Sequence, residues 1–212
     1  MTGEKVPTLP KVRTKLIKHG HPEWMVETEY LADVMKDMQG IIGKDASIFQ
    51  PGCGCGYVLD ALWEVGYTNL TGLDKNKGDV GDDWNPEIKF IHSTIGNLVD
   101  CDNNFRSEDV INSLPQYDVV FTHRFLHIWP DEKDWLFKKI ANKANKFLIT
   151  LEGEEGSRTA FWTHLPRNYQ SVFEKFGFKQ IFSEVNVFPF QNNEIITMTL
   201  RVFKRNEVNF QQ

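Results

Sequence analysis

Glycine and cysteine alternate over five consecutive residues, Gly52-Cys53-Gly54-Cys55-Gly56. Residue types at this spacing could do two kinds of chemistry. The glycines would let the main chain turn sharply and lie against a ligand, because no side chain stands in the way. The cysteines would instead offer two thiolates to a metal ion.

A metal site is the weaker of these two interpretations. A structural zinc ion needs four ligands, and no further Cys or His flanks the segment at the spacing of zinc ligands. The chain has three cysteines, too few for a disulfide framework. We therefore predict no metal here.

The surrounding pattern puts the glycine segment between a strand and a helix. A short apolar run predicts a strand over 46–49, and apolar residues at helical spacing predict a helix over 58–65. A second strand is predicted over 69–73, directly before Asp74. Ligands of a doubly wound sheet bind outside the carboxyl ends of its strands, and an acid there can accept hydrogen bonds from both hydroxyls of a ribose.

Strands and helices alternate along the rest of the chain. Helices are predicted over 22–38, 131–146 and 165–176, strands over 88–91, 117–122, 147–151, 178–187 and 194–204, and a loop with one helical turn over 94–116. Pro189 and Asn192-Asn193 separate the last two strands, which favours an antiparallel pair. This order predicts an α/β fold with a doubly wound seven-stranded sheet, mostly parallel with an antiparallel C-terminal hairpin strand, and helices on both faces.

The glycine spacing also bears on the kind of ligand. A dinucleotide-binding turn has the pattern G-x-G-x-x-G, and here the place of its third glycine is taken by Tyr57. The spacing is G-x-G-x-G instead. A nucleotide-binding oxidoreductase is therefore a disfavoured alternative.

Three segments together resemble the motifs of the class I S-adenosylmethionine-dependent methyltransferases. "QPGCGCG" resembles the first motif, "LTGLD" the second, and "QYDVVFTHRFLHIWPDE" the fourth. The terminal hairpin is similar to the antiparallel seventh strand of that family, which lies between the fifth and the sixth. The resemblance covers residues 46–204 and implies S-adenosylmethionine as the cofactor.

The same resemblance implies a set of cofactor-binding residues. They are Gln50, Gly52, Cys53, Gly54, Gly56, Asp74, Lys75, Thr94, Asn97 and Thr122. Gln50 stands where the family usually has an acid, so it can hydrogen-bond the amino-acid end of the cofactor but brings no charge for the ammonium. Thr94 and Asn97 stand where the third motif usually carries an Asp close to the adenine.

Methyl transfer from a sulfonium is an in-line displacement, in which the protein supplies alignment. The acceptor should then lie above the ends of the fourth and fifth predicted strands. His123 is the first catalytic candidate, because an imidazole titrates near neutral pH and can act as a base. His127 is the second candidate. A purely structural role is the alternative for both.

Four residues that follow these strands are predicted to line the acceptor pocket. They are Trp129, Glu152, Arg158 and Trp162. Carboxylates after the fifth strand would favour a cationic acceptor such as an amine, and aromatic rings could form the walls. A solvated acidic turn and ordinary core packing are the alternatives.

Chain length, apolar runs and net charge limit the remaining predictions of domains, location and partners. We predict an N-terminal arm and lid helix over residues 1–45 and a methyltransferase domain over 46–212. No apolar run has the length of a membrane span or a signal peptide, and the formal charge of -5 disfavours nucleic acid as the main partner. The prediction is a cytoplasmic methyltransferase with a small-molecule acceptor and no membrane partner. The alternatives are a protein or nucleic-acid methyltransferase, with the basic segment 11–21 as a docking strip, and a catalytically silent S-adenosylmethionine-binding protein.

Overall fold

The structure is a computed structural model that describes residues 24–75, 84–93, 108–129, 134–154, 165, 167–189 and 194–206. The strands of this part are β1 Ile48–Pro51, β2 Leu70–Asp74, β3 Lys89–His92, β4 Tyr117–His123, β5 Ala144–Glu152, β6 Phe178–Pro189 and β7 Ile195–Arg205. Its α-helices are α1 Met25–Asp37, α2 Tyr57–Glu64, α3 Glu108–Ser113, α4 Asp134–Lys143 and α5 Tyr169–Glu174.

The seven strands form one sheet in the order β3-β2-β1-β4-β5-β7-β6. Strands β1 to β5 pair in parallel, whereas β7 pairs antiparallel with both β5 and β6. The predicted mostly parallel sheet with an antiparallel hairpin is therefore confirmed. The strand order reverses between β1 and β4, and a crevice opens at the carboxyl ends of strands at such a switch point.

Alternate residues of the central strands face opposite sides of the sheet. Ile48 and Val119 pack in one core with helices α1 and α2. Phe49 and Val120 pack in a second core with helices α4 and α5. Both sides are covered because successive side chains of a strand point to opposite faces.

Helix α1 belongs to the first of these cores. Its Leu31 and Met35 are fully buried there. The predicted boundary at residue 45 stays a prediction, and residues 1–23, with the basic segment, lie outside the described residues. None of the described helices has the length and apolar character needed to cross a membrane.

Two predicted helices are shorter than expected. Helix α4 ends at Lys143, because Ala144 already pairs with Tyr117 in the ladder between β4 and β5. Helix α5 begins only at Tyr169, after Asn168, whose side chain accepts a hydrogen bond from Ser171 N as an N-cap. Helical spacing alone predicts that α4 continues past Lys143 and that α5 begins before Tyr169.

Candidate functional site

The glycine segment forms a tight turn between β1 and α2. Its three glycines have φ values of 67° at Gly52, 53° at Gly54 and 77° at Gly56. This left-handed region favours glycine, since other residues strain there. The main-chain N–H groups of Gly52 and Cys53 donate to Leu73 O at 2.8 and 3.1 Å, which ties the turn to β2.

The three glycines have different surroundings. A Cβ added at Gly52 would lie 2.2 Å from Cδ2 of Phe125, and one added at Gly56 would lie 2.3 Å from Cζ3 of Trp84. One added at Gly54 would meet no heavy atom of the described residues within 4 Å. Aromatic rings therefore occupy the space that two of the glycines leave, and Gly54 alone of the three faces space that no described residue fills and that a ligand could use.

We expect Gly56→Ala to lower the free energy of unfolding more than Gly54→Ala does. Both changes put alanine at a positive φ, which costs about 1–2 kcal/mol. Only Gly56→Ala also forces a methyl group into the ring of Trp84, and overpacking costs about 1–3 kcal/mol more. Urea unfolding of the two variants measures the difference. Equal losses would show that the Trp84 ring moves away from the turn without cost.

Asp74 ends β2 beside the open glycine. Its Oδ2 accepts a hydrogen bond from Gly54 N at 2.8 Å. The carbonyl oxygen of the next residue, Lys75, lies at hydrogen-bonding distance, 2.9 Å, from Nε2 of His92 on β3. The carboxylate therefore lies within reach of a ligand placed over Gly54.

Two buried polar atoms at the ends of β1 and β4 have no hydrogen-bond partner among the described residues. They are Gln50 Oε1 and Thr122 Oγ1, on residues that are 2% and 0% exposed. A buried polar atom without a partner costs about 1–3 kcal/mol, so such atoms indicate a site for a ligand or water. Gln50 Oε1 would accept from an ammonium, and Asp74 from ribose hydroxyls. These two acceptors fit the ammonium and the ribose hydroxyls of S-adenosylmethionine.

His123 ends β4 and is 4% exposed. Its Nε2 lies 2.7 Å from Oε2 of Glu27 on α1, and its Nδ1 lies 3.4 Å from the Tyr57 hydroxyl on α2. Arg124 Nε donates to the same oxygen of Glu27 at 2.8 Å, and Arg124 Nη2 donates to the other one. One carboxylate of helix α1 thus bridges the last residue of β4 and the residue after it.

The Glu27 side chain is fully buried, yet it is an anion. Burial alone would raise the pKa of this carboxyl, but the hydrogen bonds from His123 and Arg124 and the charge of Arg124 outweigh burial and hold the pKa of Glu27 below its ordinary value. An ionised carboxylate only accepts hydrogen bonds. His123 Nε2 must therefore carry the proton that lies between the two groups.

Glu152 holds the loop that follows β4. Its Oε1 and Oε2 accept from Phe125 N at 3.1 and 3.0 Å, and Oε2 lies 2.7 Å from His127 Nδ1. Burial alone would raise the pKa of the fully buried Glu152, but His127 and the main-chain N–H groups of Leu126 and Phe125 outweigh burial and lower it. Glu152 and His127 are therefore both engaged with this chain's own groups.

Trp129 and Glu154 are also packed within the protein. Trp129 is 3% exposed, and its ring meets Phe125 edge to face at 5.7 Å between centroids. Arg167 Nη2 donates to the carbonyl oxygen of Trp129 at 2.7 Å. Glu154 accepts two hydrogen bonds of 2.6 Å from Arg201. The two carboxylates at the end of β5, Glu152 and Glu154, therefore both have partners inside the protein.

Solved structures share this architecture over most of their length. The magnesium protoporphyrin IX methyltransferase of Synechocystis PCC 6803, solved with bound S-adenosylmethionine, matches with a TM-score of 0.61 at 14% identity over 97% of this chain and 100% of that one. A candidate sarcosine dimethylglycine methyltransferase from Galdieria sulphuraria matches with a TM-score of 0.63 at 12% identity over 93% and 98%. A candidate RNA methyltransferase from Pyrococcus horikoshii matches with a TM-score of 0.55 at 14% identity over 86% and 85%.

The fold is that of the class I S-adenosylmethionine-dependent methyltransferases. At 12–14% identity, the likeness to these three proteins establishes this fold and nothing finer. No family model and no curated protein matches the sequence. The residues of the site must therefore carry any statement about activity.

The methyltransferase fold brings most of the predicted site residues to one edge of the sheet. The glycine turn, Gln50 and Asp74 lie at the ends of β1 and β2, and His123 lies at the end of β4. The side chain of Thr122 lies on the same side of β4 as that of Val120, which is opposite to the side of Val119. Four predicted residues, Thr94, Asn97, Arg158 and Trp162, lie outside the described residues.

The predicted absence of metal concerns the two cysteines of the turn. Cys53 and Cys55 are buried and belong to the first core. Within the described ranges, no group of three or more His, Cys, Asp or Glu side chains is arranged to hold a metal ion.

Sequence reasoning missed Glu27, although a signal was present. Glu27, Leu31 and Met35 recur every four residues, so they lie on one side of α1. A carboxylate in line with two buried apolar residues must be paired, because burying an isolated charge is costly. The sequence could show that Glu27 needs a partner, but not which one.

Proposed function

We propose that the protein is a methyltransferase that uses S-adenosylmethionine and acts on a small-molecule acceptor. The observation that carries this proposal is the pair of polar groups at the ends of β1 and β2: the Asp74 carboxylate at Gly54 N and the buried Gln50 Oε1, which has no hydrogen-bond partner among the described residues. Both lie at the strand ends where a sheet of this order binds ligands. The relative from Synechocystis, solved with S-adenosylmethionine, supports the same choice of cofactor.

In this proposal the cofactor, when bound, supplies the reactive methyl group. Asp74 accepts hydrogen bonds from its ribose, Gln50 accepts from its ammonium, and the turn at Gly54 gives it room. Lys75, Thr94 and Asn97 complete the proposed contacts, and Thr122 is proposed to contribute through its main chain, because its side chain lies on the side of Val120. The start of helix α1 lies at this edge, since Glu27 contacts His123 and the ring of Trp24, the residue before the helix, meets the Tyr57 ring at 5.4 Å between centroids.

The acceptor is proposed to bind at the loop after β4 and the segment after β5. Trp129, Glu152, Arg158 and Trp162 stay the proposed acceptor residues. Because both oxygens of Glu152 are bound by the loop after β4, its effect on an acceptor would pass through that loop. A small molecule is favoured because similar structures include proteins named as small-molecule methyltransferases, those from Synechocystis and Galdieria.

An RNA acceptor is the alternative that the Pyrococcus relative supports, and the acidic charge of the chain argues against it. A silent cofactor-binding protein is the other alternative. Gln50, which stands in place of the usual acid and brings no charge for the ammonium, favours it.

We expect Asp74→Ala to weaken binding of S-adenosylhomocysteine by about 1–3 kcal/mol, which is about 5–150-fold, because charged hydrogen bonds are lost. Calorimetric titration measures the dissociation constant. Asp37→Ala on the exposed side of α1 is the matched control and should leave it unchanged.

Each outcome of this titration decides a separate point. A wild-type protein that binds no S-adenosylhomocysteine would refute the cofactor proposal. An unchanged constant in Asp74→Ala would refute only the role of Asp74. Binding without methyl uptake by any amine, phenol or acid in a subsequent screen would favour the silent alternative.

A further inference from the structure

A line of three buried side chains joins helix α1, the end of β4 and the start of α2. Glu27, His123 and Tyr57 are 0%, 4% and 6% exposed. The distances along the line are 2.7 Å from Glu27 Oε2 to His123 Nε2 and 3.4 Å from His123 Nδ1 to the Tyr57 hydroxyl. The line therefore starts at an anion and ends at a hydroxyl beside the glycine turn.

The chemistry of the three groups determines where the protons lie. The Glu27 carboxylate can only accept, so Nε2 of His123 carries the N–H between the two groups. In the neutral form of the ring, the other nitrogen, Nδ1, then carries the lone pair. Burial raises the pKa of the Tyr57 hydroxyl well above its ordinary value, and the charge of Glu27 raises it further, so Tyr57 keeps its proton and donates to Nδ1.

Arg124 gives an independent reason to regard this cluster as functional. Among the described residues it is the one non-glycine residue with a positive φ, 51°. A strained main chain persists only where the surroundings enforce it, and such strain collects at functional sites. Arg124 already pairs with both oxygens of Glu27, so docking of the helix does not by itself require His123 on the same carboxylate.

We propose that Glu27 is a positioning residue that holds His123 in the tautomer with a basic Nδ1, so that the N-terminal helix completes the active site. The proposal rests on the proposed methyl transfer for its purpose, though not for its geometry. An acceptor that loses a proton gives it to Nδ1, directly or through the Tyr57 hydroxyl. The bond between that hydrogen and the acceptor atom breaks, its electron pair stays on the acceptor atom, and a new N–H bond forms at Nδ1.

Three groups would respond to that proton. Glu27 faces His123 from α1 and stabilises the imidazolium, as a buried carboxylate does for a histidine base. Arg124, from the loop after β4, is a cation and opposes it, and Tyr57, from α2, is neutral. Once His123 has taken up the proton, the Glu27 carboxylate must neutralise two cations. A change in the charge of Glu27 should therefore have the largest effect on His123.

The experiment is nitrogen-15 NMR of the histidine rings in the full-length protein without any ligand. We expect wild-type His123 to show its proton on Nε2, protected from exchange with water, and a bare Nδ1. We expect Glu27→Gln to lose this protected proton, because an amide both donates and accepts and no longer selects one tautomer. We expect Glu27→Asp, which keeps the charge, to restore it at least in part.

Tyr30→Phe is the matched control on the same helix. Its hydroxyl contacts Glu184 and Asn186 of β6 and does not touch His123. Loosening α1 in this way should leave the ring signals of His123 as in the wild type. If Tyr30→Phe changes them as Glu27→Gln does, the effect is one of helix docking and the proposal falls.

The wild-type spectrum alone can also overturn the proposal, whether or not a variant folds. A proton on Nδ1 of His123, or a mixture of tautomers, would refute it. The outcome is separate from that of the proposed function. If the protein shows the predicted tautomer but binds no S-adenosylhomocysteine, the proposed role of Glu27 stands and the proposed cofactor is refuted.

Discussion

Replacement of His123 by alanine is expected to lower the turnover of methyl transfer by about 10²–10⁴-fold, the range for loss of a general base. The reason is that Nδ1 of His123 is the proposed proton acceptor at the end of β4. Affinity for S-adenosylhomocysteine should stay nearly intact, because Asp74 and Gln50 bind it in this proposal. Steady-state kinetics with an identified acceptor, together with calorimetry, measure the two effects separately.

His123→Asn is the informative companion of this variant. An asparagine amide can still donate a hydrogen bond to Glu27 but cannot take up a proton. If His123 acts as a base, the two variants should lose turnover to a similar extent. If asparagine restores the rate, the residue serves to hold Glu27. A loss confined to the Michaelis constant would indicate that the ring only shapes the acceptor pocket.

Replacement of Glu152 by alanine is expected to lower the free energy of unfolding by about 2–6 kcal/mol, which is about 1–3 kcal/mol for each of two buried donors that lose their acceptor. The variant leaves His127 and the N–H of Phe125 without their acceptor in a buried loop. Urea unfolding measures the loss. Glu174→Ala, at an exposed site on α5, is the control and should cost less than about 0.5 kcal/mol. A small loss for Glu152→Ala would mean that water enters the loop and replaces the carboxylate.

The contribution of Glu152 to the free energy of unfolding should decrease in acid. The pKa of Glu152 is lowered in the folded protein from an ordinary value of 4.5. Its contribution is therefore fully present at pH values above 4.5 and is lost as the pH falls toward the folded-state pKa. The difference in unfolding free energy between wild type and Glu152→Gln should therefore shrink as the pH falls below 4.5. A difference that grows in acid would show that Glu152 is protonated in the folded state.

The sheet could be predicted from the sequence because its signals are local. Buried runs such as 117–122 and the glycine turn identify strands and their junctions without knowledge of distant contacts. The misplaced start of β5 shows the limit of such signals. Ala144 continues the helical spacing of Trp135, Leu136 and Ile140, and only its pairing with Tyr117 assigns it to a strand.

The edge where the site lies was predictable for a related reason. Parallel strands of a doubly wound sheet end at the same edge, so residues directly after strands collect there. Asp74 and His123 were assigned to one edge on this ground. The purpose of each glycine was not predictable, since spacing cannot show that Phe125 and Trp84 fill the space beside Gly52 and Gly56.

The sequence by itself therefore determined the order of elements, the turn at Gly54 and the acid at the end of β2. The tertiary structure alone decided which charges neutralise one another. Glu27 and His123 are 96 residues apart, and Glu152 and Phe125 are 27 apart. The physical reason is that periodicity records only whether a side chain faces the interior, whereas the partner of a buried charge depends on how separate elements pack.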